Sequence, residues 1–177
     1  MAKVRVTKDI GTGALLGKDV LVFVNYGENA SYEEPCWTII GGQRTASMSD
    51  TAAEIDVTNK TSGGYGDFEA GIKTNELTVE LVVYPGNEGY QQFREAYHAG
   101  EAIDVLRWHK SGYTDRNWYV ITDFSDETPH DDAVTISAKL KGKGAPKYYY
   151  NMEDPRMSFR IGTAKIGHAK VAADFVG

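Results

Sequence analysis

Two alternating stretches joined by a glycine-rich link, within residues 53–84, restrict what this chain can fold into more than any other feature. Ile55 and Val57 alternate with Glu54, Asp56 and Thr58, and Leu77, Val79, Leu81 and Val83 alternate with Glu76, Thr78, Glu80 and Val82. A period of two sends successive side chains to opposite faces of an extended chain, so each stretch reads as a strand with one buried face. On that reading Ile55, Val57, Leu77, Val79 and Leu81 form the buried set. Glu54, Asp56, Glu76 and Glu80 then share the face turned away from it. The link, residues 59–73, is longer than the about 2–5 residues of an ordinary hairpin turn. Tyr65 and Phe68 stand among its glycines. A merely solvated link has no use for aromatic side chains, so the tip of this hairpin is expected to dock on something else.

The rest of the chain supplies strands and one helix. Residues 18–26, 36–40, 43–48, 103–110, 118–124 and 132–140 are apolar or alternating runs bounded by Gly, Pro, Asn or Asp, the signature of strands. Residues 47–51 are expected to interrupt the third of these. In the last, Val134, Ile136 and Ala138 lie on one face and Thr135, Ser137 and Lys139 on the other. After the turn chemistry of Pro85, Gly86 and Asn87, the aromatics Tyr90, Phe93 and Tyr97 recur at helical spacing. Asn87 is placed to cap that helix and Gly100 to stop it. Many strands around one helix predict a mainly β fold, a sandwich or barrel with one flanking α-helix. At 177 residues a single core is expected. The divisions are an amino-terminal arm over residues 1–17, the β body over 18–144, and a carboxy-terminal arm over 145–177, set off by the hinge-like Lys141-Gly-Lys-Gly-Ala-Pro146 and expected to pack on another subunit.

Chemistry of a catalytic kind is hard to assemble from these residues. The one cysteine, Cys36, excludes an internal disulfide and a cysteine zinc cluster, and it is expected to be a buried thiol beside Trp37. The histidines His98, His109, His130 and His168 are scattered without metal-ligand spacing. The run Gly63-Gly64-Tyr65-Gly66 lacks the Lys-Ser/Thr ending of a phosphate loop. The net charge of −6 argues against a surface built to grip nucleic acid. No apolar stretch is long enough to span a bilayer, and no signal peptide opens the chain, so synthesis in a cytoplasm is expected. No cofactor, metal or catalytic group is expected.

Asp56-Val57-Thr58-Asn59-Lys60, then Ser62-Gly63-Gly64-Tyr65, Glu69 and Gly71, resemble the signature of the major tail (tail tube) proteins of long-tailed bacteriophages. That family often has Trp where Tyr65 stands and Pro where Ala70 stands. The resemblance implies a structural, non-enzymatic virion protein, made in the host cytoplasm, that forms hexameric rings stacked into a tail tube. It implies contacts with further copies, with a tape-measure protein inside the tube, and with tail-end and baseplate proteins, while DNA passes without specific binding and no membrane is involved. Within that frame Lys60, Ser62, Gly63, Gly64, Tyr65, Phe68, Glu69 and Gly71 are candidates for an inter-ring loop. Glu54, Asp56, Glu76 and Glu80 are candidates for the lumen wall. Two other readings stay open: a binding module of the carbohydrate-binding or adhesin kind using Tyr148, Tyr149 and Tyr150, and an enzyme using the acidic residues between Asp123 and Asp132.

Overall fold

The computed structural model describes residues 16–157, 160–161 and 164–165. All but the last two residues of the expected amino-terminal arm, and most of the chain beyond 157, lie outside the described residues. The elements are β1 (Val20–Asn25), β2 (Trp37–Ile39), β3 (Gln43–Asp56), β4 (Phe68–Val82), α1 (Glu88–Ala99), β5 (Ala102–His109), β6 (Thr114–Glu127), β7 (Thr135–Gly142) and β8 (Lys147–Tyr149). A two-residue ladder, β9 (Arg160–Ile161) with β10 (Ala164–Lys165), follows.

One antiparallel sheet runs in the order β2-β1-β5-β6-β7-β4-β3, with β8 beside the first residues of β6. It is mainly β with one flanking helix, as the strand patterns imply. The sheet curls until β3 approaches β1. There the Gln43 side chain stands in for a strand partner, accepting from Val22 N at 2.8 Å and donating to Val22 O at 2.7 Å. Inside the curl lie Val22, Val24, Leu77, Val79, Leu81, Val105, Tyr119, Ala138 and Leu140, with Phe93 and Ala96 of α1. Burying a side chain such as Leu77 or Leu81 contributes about 1.5–3 kcal/mol. The alternate residues Phe23, Leu106 and Trp108 form a smaller cluster on the other side of the sheet, covered by Trp37, Ile39 and Met152.

Helix α1 is built as its sequence dictates. Asn87 Oδ1 accepts from Tyr90 N at 2.9 Å, which caps the amino end, and Gly100 ends the helix in the left-handed region at φ 67°. The buried face is Gly89, Phe93 and Ala96, while Tyr97 is turned aside to stack on Phe124. A Cβ at Gly89 would stand 2.6 Å from Ile39 O, so the helix sits this close to β2 only with glycine there.

Several expectations change. Residues 47–51 do not interrupt β3; polar Ser and Thr side chains run along an open face, which lets the strand continue for 14 residues. Residues 114–117, outside the strand expected over 118–124, open β6 and are buried. Val134 lies before β7 and is exposed. Cys36 is half-buried. Residues 147–149 pair with residues 114–116 of the same chain, and Met152 packs on Leu106 and Trp108. The segment after Pro146 therefore begins by pairing with its own domain, with residues 147–151 still exposed.

Candidate assembly surfaces

Strands β3 and β4 form a ladder longer than the body that supports it. β4 is held by β7 only from Val82 to Glu76; beyond that its partner is β3 alone. Residues 50–56 and 68–74 thus leave the body as a two-stranded ribbon, a form that is marginal in water by itself. The ribbon carries Ile72 and the tip carries Tyr65, each 81% exposed, with Phe68 and Ile55 about half exposed.

The tip is closed by its own hydrogen bonds. Asp56 Oδ1 accepts from Thr58 N at 2.8 Å, Val57 N donates to Asp67 O at 2.9 Å, and Thr58 Oγ1 accepts from Asp67 N at 2.9 Å. The Thr58 hydrogen bonds hold the Asp56 carboxyl below the usual carboxylate range. Asn59 Oδ1 accepts from Thr61 N at 2.8 Å and Asn59 N donates to Ser62 Oγ at 3.1 Å. Gly63 and Gly64 turn the chain back at φ 66° and 85° with open space around them, so their glycines answer to backbone conformation alone. The loop proper spans residues 57–67. Lys60, Ser62, Gly63, Gly64 and Tyr65 lie in it, whereas Phe68, Glu69 and Gly71 are already strand β4.

The four acidic candidates do not share a face. Cα partners across an antiparallel ladder point to the same side. Ala46–Val79, Met48–Leu77, Asp50–Asn75 and Ala52–Lys73 define the core side; Thr45–Glu80, Ser47–Thr78, Ser49–Glu76 and Thr51–Thr74 define the opposite side. Even numbers in β3 therefore oppose odd numbers in β4. Glu54 opposes Ala70 and Asp56 opposes Phe68, past a bulge that spares the alternation of β3. Glu54 and Asp56 continue the side of Met48, away from Glu76 and Glu80. Ile55, opposite Glu69, correspondingly leaves the buried set it was expected to join.

The side bearing Glu76 and Glu80 extends over β7 and β6 as an open, hydroxyl-rich surface. Its rungs are Thr45–Glu80–Ser137–Ser125, Ser47–Thr78–Lys139–Asp123 and Ser49–Glu76–Lys141–Val120. Lys141 Nζ lies 3.3 Å from Glu76 Oε1 and Lys139 Nζ lies 3.5 Å from Asp123 Oδ2. Arg44 shares one hollow with Glu80 and Glu127. Sequence reading picked out Glu76 and Glu80 but missed their basic neighbours, although the alternation of Thr135, Ser137, Lys139 and Lys141 carries the signal.

Some residues of the other two readings have partners within the chain, although Tyr148, Tyr149 and Tyr150 stay exposed. Tyr148 and Tyr150 gather against Tyr113 beside β8. Asp123 is paired with Lys139, and His130 contacts Asp131 on an exposed loop. Among the described residues, no three His, Cys, Asp or Glu side chains come together to hold a metal, and no helix is long and apolar enough to cross a membrane.

Likeness to known proteins follows the same elements. A chain from the tail of an empty gene transfer agent particle, refined with C6 symmetry, shares the fold at a TM-score of 0.66 and 19% identity, over 76% of this chain and 98% of that one. The SPP1 tail tube does so at 0.66 and 16%, over 79% and 81%. A chain of the six-fold symmetrised baseplate of the anti-feeding prophage does so at 0.62 and 12%, over 80% and 99%. No curated protein matches the sequence. The profile of the family described as phage tail tube protein matches residues 14–148, from before β1 into β8. With that match spanning the whole curled sheet, the ribbon and the helix, this chain belongs to the phage tail tube protein family and is a structural component of the virion tail.

Proposed function

We propose that six copies of this chain close into a ring, that rings stack into a tube through which DNA leaves the virion, and that the protein has no enzymatic activity. The observation that carries this reading is the ribbon: strands 50–56 and 68–74 with their tip run on past the end of β7, with Tyr65, Phe68 and Ile72 uncovered, a surface that a second copy can cover. A head-to-tail contact that closes makes a ring, and a second contact between ring faces makes an open filament. The six-fold symmetry of the gene transfer agent tail supports the number of copies.

The ribbon tip, with Lys60, Ser62, Gly63, Gly64, Tyr65, Phe68, Glu69 and Gly71, bridges to the next ring. The open face of β3, β4, β7 and β6 lines the channel, with Glu76 and Glu80 on the wall. Hydroxyl rungs without aromatic side chains suit a wall that must not hold what passes it. Glu54 and Asp56, on the other side of the ribbon, belong with the contacts between copies. A tape-measure protein inside the tube and tail-end and baseplate proteins at its ends complete the set of partners.

Electron microscopy of the purified chain tests the reading. Tubes or rings with six-fold class averages are the expected result. A stable monomer at concentrations where tubes should form would overturn it.

A further inference from the structure

The ribbon tip and helix α1 stand at the two ends of one strand. The tip leads into β4 at Phe68, and the last residues of β4 lead through Tyr84, Pro85, Gly86 and Asn87 into α1. Beside that end the surface is hollowed. A cavity of about 440 Å³ is lined by Val83 and Pro85 together with Tyr90, Arg94 and Glu95 of α1. Gln91 Nε2 donates to Pro85 O at 2.8 Å, which holds the turn against the helix. Arg94 and Glu95 are exposed, and among the described residues neither forms an ion pair.

At the other end, Tyr65 N donates to Ser62 O at 3.2 Å, closing a turn that leaves the Tyr65 ring 81% exposed. An aromatic side chain buries about 150–250 Å² when covered, so this ring is the largest apolar gain the tip can make. Lys60, Asp67 and Glu69 stand near it, all exposed. Tip and hollow therefore match in kind: a ring for the space beside Val83, Pro85 and Tyr90, a carboxylate for Arg94, and Lys60 for Glu95. At about 3.3 Å per residue, the 15 residues of β4 hold the two apart by roughly 50 Å. One subunit cannot bring them together, whereas a copy displaced along the line of β4 can.

We propose that Tyr65 of each copy seats in the hollow beside α1 of a copy in the next ring, with Arg94 meeting the carboxylates of the tip. The inference rests on the reading above that the tip bridges rings, and it adds the surface that receives the tip. A contact between two different patches repeats without closing, as a stack of rings requires. The same seat gives the stack a polarity, since every ribbon then points one way along the tube.

The test places the photo-reactive aromatic benzoylphenylalanine at position 65, in tubes assembled from a mixture of isotopically heavy and light chains. Irradiation is expected to join position 65 of one chain to residues 83–98 of another, seen by mass spectrometry as mixed heavy–light peptide pairs. Tubes that cross-link only elsewhere overturn the seat and leave the tube standing. Failure of the natural chain to form rings or tubes overturns the reading above, and the seat with it. Should the position-65 variant alone fail to polymerise, Arg94→Glu decides. It keeps the tip intact, is expected to unfold like the natural chain, and sets like charges against Asp67 and Glu69. The concentration needed for tubes is then expected to rise about tenfold or more. Arg94→Glu tubes that form at the natural concentration overturn the seat.

Discussion

Arg116 donates from Nε to Asp104 Oδ1 at 2.9 Å, with neither side chain more than 8% exposed. The pair also ties down the chain between β1 and β2. Arg116 Nη2 donates to Tyr32 O at 2.8 Å, its guanidinium lies 3.9 Å from the centre of the Tyr32 ring, and Asn25 Nδ2 donates to Asp104 Oδ2 at 3.0 Å. Removing one partner would leave a buried charge without compensation, which costs about 3–5 kcal/mol. Asp104→Ala is therefore expected to lose that much stability in urea unfolding and to open residues 27–35 to proteolysis. A loss near that of a surface substitution would contradict this account of the pair.

Tyr65 and Phe68 at the tip of the ribbon are exposed and belong to neither buried cluster, so both can be altered without disturbing the core. Tyr65→Ser and Phe68→Ser are each expected to change the unfolding free energy by no more than about 0.5 kcal/mol. Together they are expected to abolish polymerisation in light scattering and electron microscopy. Tubes formed normally by the double variant would remove the tip from the contact between rings.

How much of this was legible in the sequence depends on which interactions fix each feature. The alternation of Leu77, Val79 and Leu81 and the Asn87–Gly100 frame of α1 are local, and the structure follows both. The side to which Glu54 and Asp56 belong is not local. It depends on the register of β3 against β4, and odd opposing even there reverses the assignment that Ile55 suggested. The salt bridges of Lys139 and Lys141 depend likewise on β7 lying between β4 and β6, an order that no single strand encodes. The burial of residues 114–117 was hidden because Asp115, Arg116 and Asn117 read as turn chemistry, while in the fold Asp104, Arg107 and Gly144 supply their partners.

His109 gives the subunit a measurable response to acid. It stands edge-on to Tyr113, with ring centroids 5.4 Å apart, and both of its ring nitrogens are buried without hydrogen-bond partners. Burial, helped by nearby Arg107 and partly opposed by Asp115, draws its pKa below the ordinary 6.5. The unfolded chain thus binds the proton more readily than the folded one. Stability from this residue is complete above about pH 6.5 and declines as pH falls from there toward the folded-state pKa. Thermal unfolding of the natural chain is expected to show that decline, and His109→Phe, which needs no such partners, to lack it. Parallel pH profiles for the two proteins would discount His109.

Where the domain ends is decided by the contacts of Met152. Its backbone N–H donates to Gly112 O at 2.9 Å, its carbonyl accepts from Trp108 Nε1 at 3.1 Å, and it packs on the cluster of Phe23, Leu106 and Trp108. Ahead of it, β8 hydrogen-bonds to β6, and Tyr148 stacks on Tyr113. A chain cut after Gly144 loses all of this and uncovers Trp108. One partly buried side chain, two hydrogen bonds and the β8 pairing set the loss at about 3 kcal/mol. A chain cut after Met157 keeps every one of these contacts. Urea unfolding is therefore expected to separate the two truncations, the longer matching the full chain and the shorter clearly weaker. Were the chain ending at Gly144 as stable as the full one, residues 147–152 would be an arm for another subunit after all, and their pairing with β6 incidental to the fold.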